Sequence, residues 1–231
     1  KPKHKLGEFM VDAAIESLKE TEAVLFVVAG NEKRGPGDNF IIEQLKRVKV
    51  PVFLVVNKID TLQKEQVLEA IVSYQDAYPF AGVIPISAKN KENLSELLNV
   101  LGEHLPEGPQ YFPEDMITDQ PERLIISDIV REKILLSTRD EIPHAIAVDV
   151  DEMKTRDDGT TYIRATIYCE RDSQKGIIIG NKGALLRKIG AEARMDIQKL
   201  LATKVYLDLW VKVKKDWRNK SGMLSELGYK K

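Results

Sequence analysis

Two short runs in this chain combine residue types and spacings that suit them to a ligand. In the first, Val55-Val56-Asn57-Lys58-Ile59-Asp60 closes one apolar run and Ile86-Ser87-Ala88-Lys89 closes the next. An asparagine and an aspartate three apart can read a guanine edge. Asp60 would accept from the ring N–H and the exocyclic amine, a donor pattern that adenine does not offer. Asn57 can bridge loops and reach the other edge of the base, and Lys58 can lay its aliphatic stem over the ring face. The backbone N–H groups of Ser87 and Ala88 can donate to the guanine carbonyl, with Lys89 completing the second run. Either tetrapeptide alone reads as an ordinary strand-to-helix turn with an Asx cap. Both together, at the carboxyl ends of successive parallel strands where open α/β sheets bind ligands, point to guanine.

The second run is Gly176-Ile177-Ile178-Ile179-Gly180-Asn181-Lys182-Gly183-Ala184-Leu185-Leu186-Arg187-Lys188-Ile189-Gly190. Two glycines three apart let a backbone turn sharply and present bare N–H groups to a phosphate chain. Asn181 adds a polar donor and Lys182 a cation, and Arg187 and Lys188 follow on a basic helix. Ile177, Ile178, Ile179, Leu185 and Leu186 can form an apolar wall for unstacked bases. A lone Gly-x-x-Gly often only turns a chain; the whole arrangement resembles the KH module, whose loop clamps a single-stranded nucleic-acid backbone.

The elements around these runs divide the chain. Helical spacing of Leu6, Phe9, Met10, Ala13, Ala14 and Leu18 predicts a helix to about Glu20. Val24–Ala29 and Val52–Val56 are continuous apolar runs, expected as strands buried on both faces. Asp38 is expected to cap a helix through Leu45, and further helices are expected over about Lys64 to Tyr78 and from Asn93 to Leu101, with a short strand at Val83–Ile86. Alternation of strand and helix predicts an α/β fold with a parallel sheet. Pro106, Gly108, Pro109 and Pro113 mark a linker. Beyond it the order is a helix from Glu122 to about Arg139, strands at Ala145–Val150 and Tyr162–Tyr168 joined by an Asp157-Asp158-Gly159 turn, the Gly loop with its helix to about Ala202, a strand Val205–Val213, and a basic terminal helix. That α-β-β-α-α-β order matches the type II KH topology.

With 231 residues there is room for two domains. The net charge of -1 conceals an asymmetry: residues 1–120 hold 13 basic against 19 acidic residues, and residues 171–231 hold 15 against 6. A basic second half suits a polyanionic partner. The single cysteine, Cys169, excludes an internal disulfide. His4, His104 and His144 are far apart, so no zinc site is legible, nor is a membrane span or a signal peptide.

Asn57-Lys58-Ile59-Asp60 with Ser87-Ala88-Lys89 is similar to the base-recognition pair of translation-factor-type GTPases. Joined to a type II KH domain, it resembles the Era family of bacterial ribosome-assembly GTPases over essentially all 231 residues. Lys1-Pro2-Lys3-His4-Lys5-Leu6-Gly7, Leu105-Pro106-Glu107-Gly108-Pro109, Pro121-Glu122-Arg123 and Glu141-Ile142-Pro143-His144 fit the same family. The resemblance implies a G-domain portion at 1–106, a linker at 107–120 and an RNA-binding domain at 121–231. It also implies GTP or GDP with Mg²⁺ as ligands, and the 16S rRNA 3′ end and small ribosomal subunit as partners. The protein is then expected to be a cytoplasmic monomer, with peripheral contact at the inner face of the cell membrane allowed. GxxxxGKS, the effector threonine and DxPG do not occur in these 231 residues. The expectation is that the molecule carries them ahead of Lys1, and that the chain as given neither hydrolyses GTP nor holds GTP, GDP or Mg²⁺. The competing reading is a KH-type nucleic-acid-binding protein whose α/β half is a non-hydrolysing scaffold.

Overall fold

The computed structural model describes residues 4–110, 112–114, 116, 118–138 and 145–229. Two compact units divide the chain, one drawn from residues 10–110 and the other from residues 4–9 and 112–229.

The first unit carries a three-stranded parallel sheet of order β1-β2-β3, made of β1 (Val24–Ala29), β2 (Val52–Asn57) and β3 (Gly82–Pro85). Its helices are α2 (Pro36–Leu45), α3 (Lys64–Gln75) and α4 (Leu94–Gly102), with α1 (Lys5–Ser17) ahead of β1. The central strand β2 is buried along Val52–Val56, as its unbroken apolar run requires. One side packs with Val24, Phe26, Val28, Ile42, Leu45 and Tyr74, and the other with Ile84 and Ile86. Strand β1 departs from the expectation of burial on both faces. Leu25 and Val27 are 37% and 54% exposed, because β1 lies at the sheet edge and only its Val24-Phe26-Val28 face meets α2 and α3. Asp38 is also not the cap expected for α2. Pro36 opens the helix, and Asp38 accepts from the Gly35 N–H at 2.7 Å from inside the first turn.

In the second unit, helices cover one face of a sheet of order β4-β5-β6. β4 (Ala147–Thr155) and β5 (Thr161–Cys169) form an antiparallel hairpin, and β6 (Val205–Val213) lies parallel to β5. Gly159, at φ 78°, supplies the left-handed residue the turn needs. Ile163, Ala165, Ile167 and Cys169 alternate inward to meet α5 (Glu122–Ser137), α6 (Asp172–Ile179) and α7 (Ala184–Leu201). Ile178, one of the expected wall residues, is fully buried in this core. Arg139, the expected end of α5, and the Glu141–His144 phrase lie outside the described residues.

The basic terminal helix expected from the sequence takes another form. α8 (Ser221–Glu226) spans six residues and has no basic residue, and its Met223 and Leu224 pack with Leu6, Ala147 and Trp217. The basic residues Lys214, Lys215, Arg218 and Lys220 precede it. Burial pushes the Cys169 thiol up. Cys169 should therefore react with a thiol reagent at mildly alkaline pH only as fast as this unit opens. Ile167→Ala, which removes buried apolar volume worth about 2–5 kcal/mol, should speed that labelling. Immediate labelling of the native chain would contradict the burial.

Candidate guanine site and nucleic-acid groove

Parallel pairing sets Val56 of β2 level with Pro85 of β3, so both chains leave the sheet side by side. The ladder continues into the loops: the Ile86 N–H donates to the Val56 carbonyl at 2.8 Å, and the Ile59 N–H to the Ile86 carbonyl at 3.2 Å. Lys58 takes a left-handed conformation at φ 68°, turning the chain into a single 3₁₀ turn over Ile59–Thr61 that lifts Asp60 into solvent. Thr61 secures this turn by donating its hydroxyl to the Lys58 carbonyl at 2.7 Å. The Gly30 N–H donates to the Asn57 carbonyl at 2.8 Å, and an added Cβ at Gly30 would lie 2.9 Å from Val56 Cγ1.

Ser87 is fully buried. Its hydroxyl donates to Asp60 Oδ1 at 2.7 Å and accepts from the Asn90 N–H at 3.1 Å. Asn57 Oδ1 accepts from the Lys58 N–H at 2.7 Å and the Ala88 N–H at 3.0 Å, which ties the two loops together. The bridging expected of Asn57 is therefore present, and its Nδ2 remains for a ligand. The expected role of the Ser87 and Ala88 N–H groups is corrected. The first donates to the Glu92 carbonyl at 3.2 Å and the second to Asn57, so both serve the protein itself. Lys89 lies exposed beyond them, and its N–H is the next donor along the loop. Lys58 is exposed, with Nζ 3.6 Å from Glu32 Oε1. Asn90, Glu92 and Asn93 build this loop, and their roles are not legible without the tertiary bonds. Asn93, at φ 58°, donates from Nδ2 to the Pro85 carbonyl at 2.8 Å. Among the described residues no group of three or more His, Cys, Asp or Glu side chains is placed to hold a metal ion.

In the second unit, α6 ends at Ile179 and the chain passes through Gly180 at φ 72°, ψ -179° into a 3₁₀ turn of Asn181–Gly183. That backbone region is essentially reserved for glycine. A Cβ at Gly180 would also fall 2.7 Å from Leu185 Cβ and 3.0 Å from its N. Gly183, at φ 77°, faces open space. Arg187 donates from a terminal guanidinium nitrogen to the Lys182 carbonyl at 3.2 Å, which steadies the left-handed Lys182 at φ 49°.

Beside this loop lies a groove of about 420 Å³ between α7 and β6. Lys182, Gly183 and Arg187 border it. Leu186, Gly190, Ala191 and Arg194 continue it along one helix face, and Leu207 and Leu209 form the opposite wall. Arg194 and the small Gly190-Ala191 pair were not anticipated, although the 183, 187, 190, 194 spacing carries the signal. Gly176 and Ile177 are exposed on α6, Ile179 is half-buried, Asn181 is at the loop tip, and Lys188 pairs with Glu192 at 3.9 Å. These five do not line the groove.

The description "Elongation factor Tu GTP binding domain" matches residues 8–107, and "KH domain" matches residues 141–218. GTPase Era of Ruminiclostridium cellulolyticum is 51% identical over 230 residues, covering 100% of this chain and 77% of that protein. This chain belongs to the Era GTPase family. GTPase Era of Clostridium kluyveri is 50% identical over 230 residues, covering 100% of this chain and 78% of its own. Two solved Era structures, each 40% identical over 99% of this chain and 78% of theirs, superpose with TM-scores of 0.90 and 0.92. The first is a variant Era of Aquifex aeolicus bound to GDP and AlF4⁻, and the second is Era in complex with MgGDPNP and nucleotides 1506–1542 of 16S ribosomal RNA.

For an Era-family loop of this geometry, Gly180→Ala should cost more stability than Gly183→Ala. Gly180 combines a glycine-only conformation with a backbone clash, about 1–3 kcal/mol for the strain alone, against about 1–2 kcal/mol for a left-handed alanine in open space. Urea unfolding followed by Cys169 accessibility would check the order. Equal stability of the two variants would mean the loop relaxes.

Proposed function

We propose that this protein is a GTP-binding, GTP-hydrolysing factor that holds the 3′ end of 16S rRNA and assists assembly and maturation of the small ribosomal subunit. The observation that carries the reading is the coexistence in one chain of Asp60, oriented by buried Ser87, and a Gly-x-x-Gly groove walled by arginines and leucines. The Era relative solved with MgGDPNP and an rRNA segment supports joining the two. We assign nucleotide binding to residues 1–106, a linker to 107–120 and RNA binding to 121–231.

Asp60 carries the base discrimination. Ser87 donates to Oδ1, which orients the carboxylate and leaves Oδ2 and the second lone pair of Oδ1 toward the base. Asn57 Nδ2 and the Lys89 N–H supply donors for the carbonyl edge. Hydrolysis is inferred from family membership, and no hydrolytic step is assigned to Asn57, Asp60 or Ser87. In the groove, Lys182 and Arg194 meet phosphates, the small Gly190-Ala191 surface lets the backbone come close, and Leu186, Leu207 and Leu209 meet base faces.

Asp60→Asn exchanges an acceptor for a donor. GTP affinity should fall by roughly tenfold to a hundredfold, as for a buried donor left unpaired at about 1–3 kcal/mol, while xanthosine triphosphate gains. Competition binding on the full-length protein reads both, and an Asn variant with unchanged GTP preference removes Asp60 from base reading.

Gly183→Asp sets a carboxylate at the groove mouth, in a left-handed conformation that aspartate tolerates better than most residues. Binding of a single-stranded rRNA 3′-end oligonucleotide should be lost, and the melting profile retained. Lys182→Ala should weaken it less, with the salt slope reduced by about one phosphate contact. Normal anisotropy for the Asp variant would sink the groove assignment.

A further inference from the structure

We infer that the outer face of the β4-β5-β6 sheet is a second RNA-contacting surface. There a strand leaving the groove would stack bases on Trp210 and Tyr206 and present an exocyclic amine to Asp208. The inference rests on the groove being an RNA site, and the groove alone does not require it.

The alternation of β6 places the two surfaces back to back. Leu207 and Leu209 face the groove, and Tyr206, Asp208 and Trp210 fall on the opposite face. Among the described residues β6 pairs with β5 alone, which leaves its other edge unpaired there, and a single strand width of about 5 Å separates groove from outer face. A nucleic-acid strand bound along that edge can pass around it without crossing a helix.

The outer face is already shaped for planar rings. Tyr206 and Trp210 are 53% and 52% exposed, a large aromatic area for a solvent-facing strand. The Trp210 Nε1–H donates to Asp208 Oδ2 at 3.0 Å, which satisfies its one polar atom and pins the indole. Tyr162 Oη donates to the same oxygen at 3.0 Å and Arg164 Nε at 3.3 Å. Asp208 Oδ2 thus takes three donors, and among the described residues Oδ1 takes none. The Arg156 guanidinium lies over both the Tyr162 and Tyr206 rings, at 4.8 and 5.0 Å, and those rings stack at 5.8 Å with 16° between planes. Lys154 also sits 5.5 Å over the buried Tyr162 ring, with its Nζ paired to Glu152 at 2.7 Å. Arg156 beside the exposed Tyr206 is the combination single-stranded nucleic acid uses: stacking for bases and charge for phosphates.

Asp208 adds selectivity. One free carboxylate oxygen accepts from the exocyclic amine of cytosine, adenine or guanine. Uracil offers only a ring N–H flanked by two carbonyls, which the carboxylate repels.

Anisotropy with labelled tetracytidylate, decacytidylate and decauridylate on the whole chain tests this. A tetranucleotide fills a KH groove, and only the decamers reach around β6. Trp210→Ala should weaken decacytidylate on the order of tenfold or more and leave tetracytidylate unchanged. Trp210 fluorescence should be quenched by the decamer, and decauridylate should gain less from its length than decacytidylate. Unchanged decamer affinity in Trp210→Ala, or equal loss for both lengths, overturns the inference with the groove intact. Failure of the wild-type chain to bind any oligomer removes the groove reading first, and this one with it. Self-association in sedimentation that Trp210→Ala abolishes would assign the face to a second copy instead.

Discussion

The parallel register of β2 and β3 governs the candidate guanine site. With Val56 level with Pro85, the next hydrogen bonds of the ladder fall on Ile86 and Ile59, and two loops 27 residues apart in sequence at Asp60 and Ser87 become one surface. The Ser87–Asp60 and Ala88–Asn57 bonds complete what the ladder begins. A carboxylate exposed to solvent is thereby held by a fully buried hydroxyl, so its orientation derives from the sheet rather than from a loop. Reading a base edge demands that rigidity, because a hydrogen-bond pattern discriminates only when its donors and acceptors cannot follow the wrong ligand.

In the second unit the comparable constraint is the close approach of α7 to β6. A Cβ at Gly190 would stand 3.4 Å from Leu209 Cδ1, an ordinary contact with the strand wall of the groove. The same helix starts from a loop whose first glycine is required by both conformation and sterics and whose second is required by conformation alone. That division explains why one of two apparently equivalent glycines is free to face a ligand. The basic excess of residues 171–231 is spread over the loop, α7, β6 and the residues ahead of α8, and not gathered on a terminal helix.

Legibility followed the strength of local patterns. Strand β6 was read to the residue from its apolar alternation, and the hairpin from Asp157-Asp158-Gly159. β1 misled because a continuous apolar run says that both faces are apolar, and only the neighbours decide whether both are covered. Ile177, Ile178 and Ile179 show the same limit. All three are equally apolar, yet the helical turn of α6 sends Ile178 to the core and leaves Ile177 outside.

The sequence by itself determined the residue types of both sites, the α/β and KH classes, and the family, because these rest on local spacing and on motifs contiguous in the chain. Tertiary structure alone decided the use made of each polar group. The Ser87 and Ala88 N–H groups look available for a ligand in a tetrapeptide, but Glu92 and Asn57 take them. Arg194 looks like an ordinary helix-surface cation until Leu207 and Leu209 are set across from it. A hydrogen bond or a groove wall needs a partner distant along the chain, and the proximity of that partner is set by packing and strand register.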